Sequence, residues 1–187
     1  MATKQLDIKQ YASAINLYGY IGQYDRIKEI SSLILSDYLN SGEPKNLFCI
    51  QSINKSVVSR VGILKSLAIY LDIISLMIED STEELWVPII SFFKSSPEPN
   101  QVWPVLLVDL ISLLNNGDFI GACSSENLYQ LLASCQLLID SSSKELMYMP
   151  MINSTGHSIV SKFKSVKDVD DSIQLLIYSC LKAISVF

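Results

Sequence analysis

Between Lys55 and Glu79 the chain reads KSVVSRVGILKSLAIYLDIISLMIE, its longest apolar run. Val57, Val61, Leu64, Leu67, Leu71, Ile74 and Ile78 recur at steps of three and four, the spacing of one helical face. Val58, Ile63, Ile69, Tyr70, Ile73 and Met77 widen that face to most of the circumference. The pattern predicts one long central helix that the remaining segments cover. It does not predict a membrane span, which needs about 20 predominantly apolar residues. Arg60, Lys65 and Asp72 interrupt the run, and charges near the bilayer centre are costly. Asp72 stands in the most apolar part. It reads as an acid on the single wet edge of the helix or one paired with a Lys or Arg, against the alternative of a buried functional carboxylate with a raised pKa.

Upstream, Ile8, Tyr11, Ala12, Ile15 and Tyr18 predict a helix to about Tyr20, with Asp7 able to cap it. A second helix follows to about Asn40, with Ile27, Ile30, Leu33, Ile34 and Tyr38 inward and Gly42 and Pro44 as its stop. The stretch Leu17-Tyr18-Gly19-Tyr20-Ile21-Gly22-Gln23-Tyr24-Asp25 resembles the end of the first helix and the turn of a tetratricopeptide hairpin. The resemblance implies two closely packed antiparallel helices and extends only over about Tyr11–Asn40. Ile27 stands where that family places a small alanine, and no second copy follows at a step of roughly 34 residues.

Asn46–Asn54 reads as a connector or a short turn. Ser81-Thr82-Glu83-Glu84 is a capping box opening a helix through Trp86, Ile89, Ile90 and Phe93, with Pro88 tolerated in its first turns. After the Ser95–Asn100 loop, Gln101–Asn115 is the second most apolar helix, and Asp109 lies in it much as Asp72 lies in its own run. Ser124 or Ser125 caps a helix to Ile139. A short turn from Ser142 ends at Pro150, and Asp168–Asp171 starts a last helix to the chain end, with Ile173, Leu176, Ile177, Cys180, Leu181 and Ile184 on its face. That apolar end predicts either a piece of a longer protein or a terminal helix docked on a partner. The expected fold is all-α: about seven to nine helices over residues 1–187 in one domain, as an irregular multi-helix bundle or a short helical-repeat-like array of antiparallel hairpins.

Composition adds a direction. Hydrophobic residues make up 49% and charged residues 18%, the latter below the usual quarter or so. Some apolar surface is therefore expected to cover a partner rather than the core. The net charge of −5 comes without a dense Lys/Arg cluster, which argues against nucleic acid. MATKQLDIKQ is not a signal peptide, so a cytoplasmic or otherwise intracellular protein is expected.

Candidate chemistry is sparse. The cysteines Cys49, Cys123, Cys135 and Cys180 form no CxxC pair, and no Gly-rich phosphate loop occurs. No metal or cofactor is expected. Asp72 and Asp109 could meet across two helices, but the Glu-x-x-His partners of a di-metal bundle are missing. The one enzymatic arrangement on offer pairs Cys123, just before a helix start, with the single histidine, His157. The interaction candidates are the aromatics Tyr11, Tyr18, Tyr20, Tyr24, Trp86, Trp103 and Phe187. The expected function is a non-catalytic protein–protein interaction or scaffolding module, an adaptor or complex subunit whose partner is another protein, through a helix or peptide. The alternatives are a homo-oligomeric structural or accessory protein, a viral one included, an enzyme using Cys123 and His157, and an acidic helical nucleic-acid regulator.

Overall fold

The structure, a computed structural model, describes residues 8–81, 84–95, 98–114, 119, 122–154 and 163–185. Within these residues every regular element is helical. Helices α1 (Ile8–Tyr20) and α2 (Tyr24–Ser41) form a hairpin whose turn uses Gly22 at φ 74°, a conformation that suits glycine. Gly42, also left-handed, ends α2 by returning its N–H to the Tyr38 carbonyl. The inward face of α2 runs through Ile27, Ser31, Ile34, Leu35 and Tyr38, and Leu33, predicted inward, is exposed. Asp7, the predicted cap of α1, lies outside the described residues.

The long helix predicted over Lys55–Glu79 is two helices. After two 3₁₀ turns (Pro44–Asn46 and Phe48–Ser52), α3 spans only Lys55–Val58, and α4 begins at Gly62 and runs to Ile78. Asn54 starts α3 by accepting a hydrogen bond from the Ser56 N–H at 2.9 Å. Val61 is extended (φ −118°, ψ 109°) and breaks the helix before it restarts at Gly62. Two causes converge on this break. Val57, Val58 and Val61 are β-branched and Gly62 is a weak helix former. Val57 also docks on Gly19 of α1 so closely that a Cβ at Gly19 would lie 2.5 Å from it. Tertiary packing therefore pulls α3 off the axis of α4, although the apolar spacing runs through in phase.

The central helix is also not the predicted one. Helix α5 (Trp86–Ser95) precedes α6 (Val102–Leu113), and every residue of α6 from Val102 to Leu110 is buried. Helix α6 is covered by α4, α7 (Ser125–Ile139), α8 (Lys144–Ile152) and α9 (Val166–Ile184). Helix α4 keeps a wet edge at Asp72, while Ile78, expected on the inward face with Leu71 and Ile74, is exposed because it is the last residue of the helix. Pro88 and Pro104 both fall in the first turn of their helices, where a missing N–H costs nothing. That also explains why α5 starts at Trp86 rather than directly after Ser81, whose carbonyl instead accepts the Glu84 N–H. Ser124 is the cap of α7.

Pro150 does not end α8, which continues to Ile152. Proline this late removes one helical hydrogen bond, while Asn153 still closes the last turn on the Met149 carbonyl and Met151 becomes fully buried. Ser154 then donates to the Leu39 carbonyl at 2.6 Å, tying the end of α8 to α2. Helix α9 starts earlier than predicted, on a reciprocal cap between Ser165 and Asp168.

Candidate interaction surfaces

Two aspartates that look alike in sequence have opposite settings. Asp72 is exposed on α4, the wet-edge position expected for it, and among the described residues no hydrogen bond or ion pair reaches it. Asp109 is buried in α6, where the Tyr70 hydroxyl donates to its Oδ2 at 2.5 Å. Tyr38 and Tyr70 share a further hydrogen bond at 3.3 Å, so a polar chain crosses the core from α2 through α4 to α6. Burial raises the Asp109 carboxyl to about 6, with the Tyr70 hydrogen bond pulling the other way. Burial likewise raises Tyr38 to about 12, so both tyrosines remain protonated donors. The arrangement is a structural strut and leaves no bridging site between Asp72 and Asp109. Among the described residues no group of three or more His, Cys, Asp or Glu could hold a metal ion.

Cys123 does not have the setting of a nucleophile. It is buried, its Sγ donates to the Ser124 carbonyl at 3.2 Å, and burial raises its thiol to about 12. A reactive cysteine needs the opposite shift. His157 lies outside the described residues. Cys135 and Cys180 are buried, free and raised in the same way.

The aromatic candidates separate by burial. Trp86 is in the core, stacked on Phe119 at 4.5 Å and donating its Nε1–H to the Phe119 carbonyl. Trp103 packs in the core against Phe92 and Phe93. Tyr11 is buried, with its hydroxyl on Asp37. Tyr18 is half-buried against the core, and Tyr24 is half-buried while accepting from Arg60 at 2.9 Å. Tyr20 is 91% exposed and sits with Leu17 and Ile21 at the tip of the first hairpin. Phe187 lies outside the described residues. A second outward apolar row, Leu175, Tyr178 and Leu181, runs along α9; Leu181, expected on the inward face, is exposed one step beyond the buried Cys180, and Leu175 and Tyr178 were missed in sequence. Its signal was present as three apolar residues at steps of three beside the buried face of that helix.

This is an all-helical chain with a core strut, buried thiols and apolar side chains turned outward on separate helices. Residues 1–137 match the family model of the Nup85 nucleoporins. The chain belongs to the Nup85 nucleoporin family. No curated protein and no solved structure matched it. As a Nup85-family nucleoporin it is a structural subunit of a protein assembly at the nuclear pore, and its partners are proteins. The matched span takes in α1 to α6 and ends within α7. Helices α8 and α9 lie beyond it, and still α8 packs on α6 and α9 on both α6 and α7. No helix among the described residues is long and apolar enough to cross a membrane.

Proposed function

We propose that this chain is a non-catalytic scaffold in the nuclear pore that joins neighbouring protein subunits through outward apolar patches on its helices. The family match over residues 1–137 carries this reading. The packing supports it: α6 and the Tyr38–Tyr70–Asp109 strut hold the helices in one arrangement, and the hairpin tip at Leu17, Tyr20 and Ile21 presents apolar side chains to solvent. Exposed aromatic and aliphatic clusters of this kind are the usual anchors of protein interfaces. The test is the position of the fluorescently tagged chain in its own cells, together with its mass in solution. Scaffold function predicts a nuclear rim and a monomer that gains mass with pore proteins. A diffuse signal overturns the reading, and a stable homodimer without other partners would favour a homo-oligomeric protein instead.

A further inference from the structure

The outward side of α9 carries more than an apolar row. Asp171, Leu175, Tyr178 and Lys182 recur at steps of four, three and four, the seam spacing of paired helices. All four are exposed, Tyr178 at 66% and Leu175 at 54%. They lie on the side of α9 away from Ile173, Leu176 and Cys180, which the core takes up. The charges on this helix are not equivalent. Asp168 is held in the cap with Ser165, and Asp170 accepts from Lys144 and from the Tyr148 hydroxyl. The side chains of Asp171 and Lys182 make no hydrogen bond or ion pair among the described residues.

Those two charges stand at opposite ends of the stripe, one acidic and one basic, with Leu175 and Tyr178 between them. That order is self-complementary. In an antiparallel pair of α9 helices, the register that sets Leu175 against Tyr178 of a second copy also sets Asp171 against Lys182 of that copy. By two-fold symmetry the same contacts recur in reverse. A parallel pair would set aspartate on aspartate and lysine on lysine, so the charges select the antiparallel one. Lys167, one turn before Asp171, falls beyond Ile184, where the second copy's helix ends.

We infer that α9 pairs with α9 of a second copy of this chain, antiparallel around a two-fold axis between Leu175 and Tyr178, through those two side chains of each copy and two Asp171–Lys182 ion pairs. This goes beyond the scaffold reading and does not rest on it. One helix face is smaller than the roughly 1,200–2,000 Å² that stable interfaces bury, and exposed ion pairs add little. The dilute chain therefore stays monomeric, and copies pair where an assembly holds them close together.

The test is sedimentation equilibrium of the full chain from about 10 µM to about 1 mM at low salt, where exposed charges are least screened. Asp171→Lys and Lys182→Asp are run singly, combined in one chain, and as a mixture of the two single variants, with helix content checked by circular dichroism. The wild-type mass should rise from one chain towards two. Either reversal alone puts two like-charge contacts into the pair and should weaken it roughly fivefold or more. The combined variant should pair as the wild type does. So should the mixture of single variants, because each changed residue then meets its opposite charge on the other chain. A chain that stays monomeric throughout overturns the inference. So does self-association that ignores the single reversals, or that neither the combined variant nor the mixture restores. Its failure leaves the scaffold reading standing, because the position of the tagged chain at the nuclear rim does not depend on self-pairing.

Discussion

Helices α4 and α6 are the two most apolar segments of the chain, each with one aspartate, and they do different work. Helix α6 is buried from Val102 to Leu110, so its aspartate has to be satisfied inside the protein, and Tyr70 reaches across from α4 to do it. Helix α4 is buried on one side only. Its aspartate stays on the rim, without a partner among the described residues, beside a groove between α3 and α4. The difference comes from neighbours rather than from either helix: α4 lends its polar group to the core and keeps its charge for the surface. A buried acid is tied to a fixed partner inside the fold, and an exposed acid without one among the described residues stays solvated.

The contrast breaks most visibly by truncation. Trp103→Ala in α6 should lower stability by about 3–5 kcal/mol in denaturant unfolding, whereas Ile78→Ala at the exposed end of α4 should stay within about 0.5 kcal/mol. Equal losses at the two positions would sink the idea that α6 is central.

Titration should separate the helices next. Asp109 binds its proton more tightly when folded, at about 6 against an ordinary 3.8. Its contribution is therefore fully present below about pH 3.8 and is lost as pH rises to about 6, by on the order of 3 kcal/mol. The difference in unfolding free energy between the wild type and Asp109→Asn, followed from pH 3.5 to pH 7 (roughly the window of that shift), should carry this slope. A flat difference would mean that Asp109 is solvated.

Tyr70→Phe removes the middle of the strut and takes from Asp109 and Tyr38 the hydrogen bond each makes with the Tyr70 hydroxyl. It should cost about 1–3 kcal/mol and move the Asp109 transition to higher pH, since the Tyr70 hydrogen bond is what lowers it. The smallest effect is expected at Asp72→Asn, within about 0.5 kcal/mol by thermal melting, because nothing in the fold depends on that charge.

Much of the helical order was legible from spacing alone: the α1–α2 hairpin with its Gly22 turn and Gly42 stop, α7 with its serine cap, and the apolar face of α9. The break at Val61 was hidden because Val57, Val61 and Leu64 keep helical phase across it, and only the close approach of Val57 to Gly19 decides otherwise. Asp72 and Asp109 could not be told apart, since burial depends on which elements pack outside the local window. Pro150 misled in the other direction, as a local breaker overruled by the burial of Met151. The cap of α9 was readable as Ser165-x-x-Asp168, and its start was placed on the later acidic cluster instead. For the surfaces, aromatic residue type alone did not tell the buried Trp86 and Trp103 from the exposed Tyr20, and the groove depends on a chain break that periodicity does not register.

The way α9 closes over α6 has a consequence for synthesis. About fifty residues separate the end of α6 from the start of α9. At 5–20 residues per second, the most apolar helix of the chain waits roughly 3–10 s for the segment that seals it. During that interval Trp103 and its leucine neighbours are a sticky surface on the nascent chain, which makes the emerging protein a client for chaperones until Ile173, Leu176 and Cys180 arrive.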